Sequence, residues 1–264
     1  MKHKLSITIL LVILFIVAQY VGLFVTKKYI KEELPYNIER PKLEPKTSFI
    51  PIFTMILIAT FLAFILMKLN AIFLWRIWFF LSIIFTLSIS FSTFIDQTLA
   101  FLLSIILAFY KVFRNNILIH NFTEMFVYGA LAALLVPIIS LFSVVILLIL
   151  ISIYDYIAVW KTRHMVKLAK FQSKIKIFAG LVIPYGKERA ILGGGDIAFP
   201  LIFSGVALQK FGNIAFIVPL FTALSLFTLF YLAKKKKFYP AMPFITIGCF
   251  VSLLFIFIIN KVYL

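Results

Sequence analysis

The chain has 264 residues, 64% of them hydrophobic, with 26 Lys and Arg against nine Asp and Glu, for a net charge of +17. A soluble domain could not hide so much apolar surface, so the sequence reads as a polytopic membrane protein. Long apolar runs, rather than short alternating ones, point to a helical bundle and not a barrel. The Lys and Arg residues lie between those runs, where they set topology, and no basic domain with base-reading residues stands apart, so no nucleic-acid partner is expected.

Taken in order, the apolar runs predict nine membrane-spanning helices in an all-α fold, at about 5–26, 49–67, 71–93, 97–113, 123–141, 142–160, 190–208, 213–232 and 241–260. The first run follows Lys2 and Lys4 as a signal peptide would, but it is long and has no A-x-A cleavage site, which favours a retained span. Residues 27–48 carry Pro35, Pro41 and Pro45 and read as an external loop. Arg76, between Trp75 and Trp78, reads as an interfacial anchor. Asn121-Phe122-Thr123-Glu124 reads as an N-cap with an acid three positions on, and Pro137 lies near the end of that span. Residues 123–160 are too long for one span and divide near Leu141.

Nine spans put the termini on opposite sides. With the N-terminus inside, 17 Lys and Arg fall on the inner side and eight outside, Arg76 being left at the boundary. The bias favours a cytoplasmic N-terminus and an external C-terminus. The expected organisation is one membrane-embedded domain over 1–264: helices 1–6 in 1–160, a cytoplasmic connecting segment in 161–189 and helices 7–9 in 190–264.

Several chemistries find no support. Cys249 has no partner for a disulfide, and His3, His120 and His164 lack zinc-site spacing, so no metal or cofactor is expected. HExxH, GxSxG and P-loop patterns are absent. What stands out is Asp155 and Asp196, each inside an apolar run. A carboxylate in a bilayer is costly and normally faces the protein interior at a functional site. In the predicted topology both lie about 7–9 Å below the inner ends of successive antiparallel helices. Two neighbouring carboxylates cannot both ionise cheaply, so they share a proton. One can then activate water while the other polarises a carbonyl. A proton or cation relay in a coupled transporter would use the same pair. Gly193 and Gly195 let the sixth span approach the start of the seventh.

Tyr154-Asp155, Gly193-Gly194-Gly195-Asp196 and Pro240-Ala241-Met242-Pro243, in that order, resemble the YD, GxGD and PAL motifs of the presenilin/signal peptide peptidase family of intramembrane aspartyl proteases. The chain is most similar to compact microbial presenilin homologues; its N-in orientation and Pro243 resemble presenilin more than signal peptide peptidase. The resemblance implies an endopeptidase that cuts transmembrane segments of other proteins. Asp155 and Asp196 would be catalytic, with Tyr154, Gly193, Gly194, Gly195, Pro240, Ala241, Met242 and Pro243 supporting. Met242 departs from the usual leucine at nearly constant volume. Gly194 occupies the variable position that influences substrate choice in the family, where a third glycine adds backbone freedom. A prepilin-peptidase-type GxGD protease fits less well, because Asp155 lies within a span.

Arg163, Lys167, Lys170 and Lys174 recur on one helical face and read either as a basic amphipathic helix on anionic lipid or as a continuation of the sixth span. His164 then falls on the surface. Residues 175–185 are apolar but too short to span, closed by Pro184 and Gly186; the resemblance implies a strand that pairs with unwound substrate. The long hydrophilic insertion of complex presenilins is missing, which implies a single-chain enzyme of the cell membrane, multi-pass, without obligatory partner subunits and compatible with a homo-oligomer. Its partners would be transmembrane-helix substrates and membrane lipids.

Overall fold

The computed structural model describes residues 4–114, 116–186, 188–234 and 237–263. Of the charges counted for topology, Lys2, Lys187, Lys235 and Lys236 lie outside the described residues.

The helices are α1 (Leu5–Lys31), α2 (Phe49–Lys68), α3 (Ile72–Phe91), α4 (Gln97–Phe109), α5 (Ile117–Leu135), α6 (Leu141–Tyr156), α7 (His164–Ile175), α8 (Gly194–Phe211), α9 (Val218–Leu232) and α10 (Met242–Tyr263). A two-stranded antiparallel hairpin, β1 (Gly180–Tyr185) and β2 (Glu188–Gly193), separates α7 from α8. Among the described residues, eight continuous helical stretches are long and apolar enough to cross a bilayer. One of them, Gly194–Leu232, is 39 residues long and contains both α8 and α9, joined by a tight turn at Gly212–Ile217 that starts at the positive φ of Gly212.

α1 is the hub. One face, with Leu11, Phe15, Ala18, Gln19, Leu23, Val25 and Thr26, is fully buried. Gly22 explains the tight packing there: a Cβ on it would stand 2.2 Å from Leu201 of α8, and one on Gly129 of α5 would stand 3.2 Å from the Gly22 Cα. In lipid no water-driven force joins helices, so small residues that let backbones meet set the contact. The main core gathers α1, α5, α6, α8, α9, α10 and the hairpin; a second cluster joins α3, α4 and α7 through Trp75, Leu87, Ala108 and Leu168. The outer surface is apolar, as lipid demands: Met55, Ile58, Phe61 and Leu62 of α2 are exposed.

The proline-bearing loop after α1 is mostly irregular, as expected, with one short turn at Pro35–Asn37. It is tied down rather than loose: Ser143 donates to the Pro45 and Lys46 carbonyls at 2.6 and 2.8 Å, and Arg40 donates to the Tyr29 carbonyl at 2.5 Å.

Three sequence expectations need correction. α5 begins six residues before its predicted start at 123; its N-cap is Asn116, which accepts from the Leu118 and Ile119 amides at 2.9 and 3.1 Å. Asn121 and Glu124 are therefore inside the helix. Residues 190–193 are strand, not helix, because the 188–193 run pairs with 180–185 before α8 begins. Asp196 consequently lies in the first turn of α8 rather than six residues into a span. Lys111, counted as a loop charge, is buried and paired with Glu124, since α4 runs on through a wide π-type turn at 110–114. Of the two readings left open for the basic face, continuation of the sixth span does not hold: Arg163 takes a left-handed conformation (φ 55°) and breaks the chain direction between α6 and α7. α7 is amphipathic as predicted, with Leu168 buried and Arg163, Lys167, Lys170 and Lys174 exposed.

Candidate active site

Asp155 sits in the last turn of α6, just before a π-type turn at Ile157–Lys161. Its Oδ2 accepts from the Met242 amide at 3.1 Å, and the Ala241 amide is directed at the same carboxylate. The Pro240-Ala241-Met242-Pro243 sequence explains this. α10 begins at Met242, and a helix start leaves amides without intrahelical partners. Both prolines lack an amide hydrogen, so the two donors between them are those left for Asp155. One turn further into the membrane, Ser152 and Thr246 hydroxyls meet at 2.8 Å and hold α6 against α10. Pro240, Ala241 and Met242 are buried, and Pro243 is half-buried.

Asp196 is the third residue of α8, and Gly193 is its N-cap. Its carboxylate folds back toward Gly193, whose amide is directed at it, in the manner of the acidic half of a capping box. A Cβ on Gly193 would stand 3.2 Å from Asp196 Oδ2, so a side chain at 193 would crowd the carboxylate. Pro200, four residues on, removes the amide that the Asp196 carbonyl would otherwise accept. Gln19 of α1 donates to the neighbouring Ile197 carbonyl at 2.8 Å, which fixes this turn against the hub helix.

Asp155 and Asp196 line one cavity of about 1070 Å3 and lie close enough for their charges to interact. The cavity also takes in Tyr154, Gly193, Gly194, Gly195, Ala241 and Met242, and it reaches between α3 and α7 past Trp78, Ser82 and Gln172. Among the described residues no group of three or more His, Cys, Asp or Glu side chains could hold a metal ion.

The glycines act differently from the expectation. The close approach is at Gly194, not at Gly193 or Gly195, and the neighbour is α5, not α6. A Cβ at 194 would lie 2.8 Å from the Tyr128 hydroxyl, whereas one at 195 would meet only Phe199 at 3.4 Å. Tyr154 turns toward α7: its hydroxyl meets His164 Nε2 at 3.0 Å, and its ring stands edge-on to Phe53. His164 is thus half-buried rather than a free surface group, with Nδ1 at 2.5 Å from the Thr162 hydroxyl. Burial lowers its pKa below the ordinary imidazole value.

The 175–185 segment does contain a strand, but its outer edge is occupied. Asn121 accepts from the Val182 amide at 2.9 Å and donates to the Val182 carbonyl at 2.8 Å. Glu124 accepts from the Gly180 amide at 2.8 Å, and His120 Nε2 meets the Gly180 carbonyl at 2.8 Å. Since Val182 spends both backbone groups on Asn121, its register partner Ile191 points its own pair away from β1, as does Arg189. Ile191 and Arg189 line the cavity. The edge open to an added strand is therefore that of β2, which leads into Asp196. At the hairpin turn Tyr185 donates to Glu188 at 2.8 Å, and burial with the Glu188 charge pushes its pKa up to about 12.

Sequence reasoning missed the group on α5. Glu124 is buried, pairs with Lys111, and accepts from the Tyr128 hydroxyl as well as from Gly180. The signal was present: His120, Glu124 and Tyr128 recur every four residues on one face of an otherwise apolar helix.

A search of curated proteins finds no match. The chain superposes on two crystal structures of a presenilin family intramembrane aspartate protease. In space group C222 the TM-score is 0.67 over 94% of this chain and 97% of that one; in P2 it is 0.65 over 97% of each; identity is 14% in both. At that identity the likeness speaks for the fold. The family evidence is separate: residues 12–196 match the model described as signal-peptide peptidase, presenilin aspartyl protease, a match that reaches Asp196 and stops short of Pro240–Pro243. With most of its length matched, the chain belongs to the signal-peptide peptidase and presenilin family of intramembrane aspartyl proteases.

Proposed function

We propose that Asp155 and Asp196 are the catalytic pair, and that the enzyme is an endopeptidase cutting peptide bonds within transmembrane segments of other membrane proteins. The observation that carries this is two carboxylates lining one cavity, each beside a helix start: Asp155 accepts from the Met242 amide of α10, and Asp196 lies in the first turn of α8.

The chemistry follows from the pair. One proton is shared between the carboxylates. The ionised member takes a proton from a water as the water oxygen attacks the scissile carbonyl carbon. The protonated member donates to the carbonyl oxygen, giving a neutral gem-diol. On collapse the first carboxyl gives its proton to the departing nitrogen, the second takes a proton from a diol hydroxyl, and the C–N bond breaks, leaving an acid, an amine and the pair with its one shared proton. No external redox partner is needed. A helical substrate shields its amides, so it must be extended first. The open edge of β2 offers backbone partners for such a strand, and β2 ends three residues before Asp196.

The supporting roles are distributed. Gly193 leaves room for the Asp196 carboxylate, and Gly194 and Gly195 begin α8 beside it. Ala241 and Met242 direct amides at Asp155, and Pro240 and Pro243, which have no amide hydrogen, bracket them. Tyr154 braces α6 against α7.

We further propose nine spans, with α8 and α9 crossing separately, the N-terminus cytoplasmic and the C-terminus external, in the cell membrane as one domain over 1–264. Removing the buried Lys111 from the count leaves the inner excess of basic residues standing. The exposed basic face of α7 suits anionic lipid headgroups. Substrates are proteins with transmembrane helices, and no partner subunit is required.

The test is a transmembrane peptide carrying a hydroxyl isostere at the scissile position. It should compete with hydrolysis in the parent enzyme and bind at least about 100-fold more weakly to Asp155→Asn and to Asp196→Asn. Unchanged binding to either variant would remove that aspartate from the pair.

A further inference from the structure

β1 is paired on both sides, and one of those sides is not strand. From α5, His120, Asn121 and Glu124 reach its outer edge and satisfy the backbone of Gly180 and Val182, as a neighbouring strand would. The same Glu124 also accepts from Tyr128, whose hydroxyl lies against Gly194. The Gly194 amide in turn donates to the Ala179 carbonyl at 3.1 Å, one residue before β1. Glu124 therefore touches both ends of the structure that carries Asp196: the start of β1 through Gly180, and the back of the triple-glycine turn through Tyr128. Gly180 has little freedom to move. Its φ is +133°, and a Cβ there would stand 2.1 Å from the Leu192 carbonyl oxygen.

Such a group is costly to bury. Lys111 and Glu124 are each almost fully buried. An apolar pair of equal volume would serve stability as well or better. A charged pair kept at such a place needs a reason beyond packing, and its acceptor oxygens supply one.

We propose that Glu124, neutralised by Lys111 and assisted by Asn121, is a positioning residue for peptide hydrolysis: it holds the hairpin and the Gly193–Gly195 turn in the register that presents Asp196 to the cavity. Glu124 lines the same cavity as the two aspartates, and the role proposed for it runs through the backbone and the tyrosine it holds. The inference rests on Asp196 being one of the catalytic pair.

The test compares two double variants in the full-length enzyme. Lys111→Met with Glu124→Gln removes both charges but keeps a carbonyl oxygen that can accept from Gly180 and Tyr128. Lys111→Met with Glu124→Met removes the charges and the acceptor at nearly the same volume. Kinetics are read on a synthetic single-span peptide in detergent, and hydrogen exchange is read over 178–196. The Gln pair is expected to keep kcat within about threefold of the parent. The Met pair should lose at least about tenfold in kcat with KM within about threefold, and exchange at Gly180 and Gly194 should rise by at least about tenfold; misplacing a catalytic group by an ångström costs on that scale. Asn121→Ala, which frees Val182, should move both readouts the same way by less, and it carries the test alone if the Met pair does not fold. Equal kcat in the two double variants, or a kcat loss without a change in exchange, would overturn the proposal. Exchange measured in an Asp196→Asn background is independent of turnover. Retained cleavage by that single variant would therefore refute the catalytic assignment separately from the positioning one.

Discussion

Replacing Gly194 by alanine adds one methyl group at the most crowded backbone position of the site. The new Cβ would lie 2.8 Å from the Tyr128 hydroxyl, 3.1 Å from its Cε1 and 3.3 Å from its Cζ. The ring cannot swing aside freely, because Tyr128 is 3% exposed and its hydroxyl is bonded to Glu124. Overpacking of this kind costs about 1–3 kcal/mol, and alanine's better helix propensity in the first turn of α8 offsets up to about 1 kcal/mol. A net loss of roughly 1–2 kcal/mol is expected. Gly195→Ala is the internal control, since its Cβ would meet only Phe199 at 3.4 and 3.7 Å, ordinary contact, and should be neutral within about 0.5 kcal/mol. Equilibrium unfolding in mixed detergent measures both. Tyr128→Phe completes a cycle: it removes the nearest atom, so Gly194→Ala should cost less in that background, with a coupling of at least about 0.5 kcal/mol. Gly194→Ala proving as stable as Gly195→Ala, or full additivity with Tyr128→Phe, would refute the claim that α5 backs the turn.

Lys111→Met alone strands the Glu124 charge in the core and should destabilise by about 3–5 kcal/mol, with most of the loss recovered in the double variant with Glu124→Met; unfolding titrations of the three proteins check this. Asn116→Ala removes the side-chain acceptor for the Leu118 and Ile119 amides and should cost about 1 kcal/mol by the same measurement, whereas Asn121→Ala, predicted from sequence to be the cap, should leave the start of α5 intact in hydrogen exchange. His164 has a folded pKa below its unfolded value, so its contribution is complete above about pH 6.5 and is lost as pH falls through the lower folded value. Thermal stability should therefore drop more between pH 7.5 and 5 in the parent than in His164→Asn; parallel curves would argue against neutral His164 bracing Tyr154.

Much of the fold was legible because bilayers impose long apolar helices, and composition alone announces those. The two aspartates stood out for the same reason: in an apolar run a carboxylate has no bland explanation. What stayed hidden was tertiary. The 190–193 stretch reads as the start of a helix, since Ala190, Ile191 and Leu192 suit one locally, and only the pairing of 188–193 with 180–185 makes it strand. Glu124 looked like an N-terminal capping acid because Asn121 precedes it by three, a local pattern that ignores Asn116 five residues earlier. Lys111 counted as a topological charge until its buried partner was visible. The crowding at Gly194 depends on Tyr128, 66 residues away, and no local pattern announces it.

The account stands on two carboxylates acting together in one cavity, and turnover by single variants addresses that most directly. Purified parent enzyme, Asp155→Asn and Asp196→Asn are given the same single-span peptide in proteoliposomes, and products are mapped by mass. The parent should cut within the apolar segment. Each asparagine variant, folded and with the same helix content, should fall by at least about 1000-fold, because an amide can neither take water's proton nor share one with its neighbour. Cleavage at the same bond by either variant, at a rate within about tenfold of the parent, would contradict it.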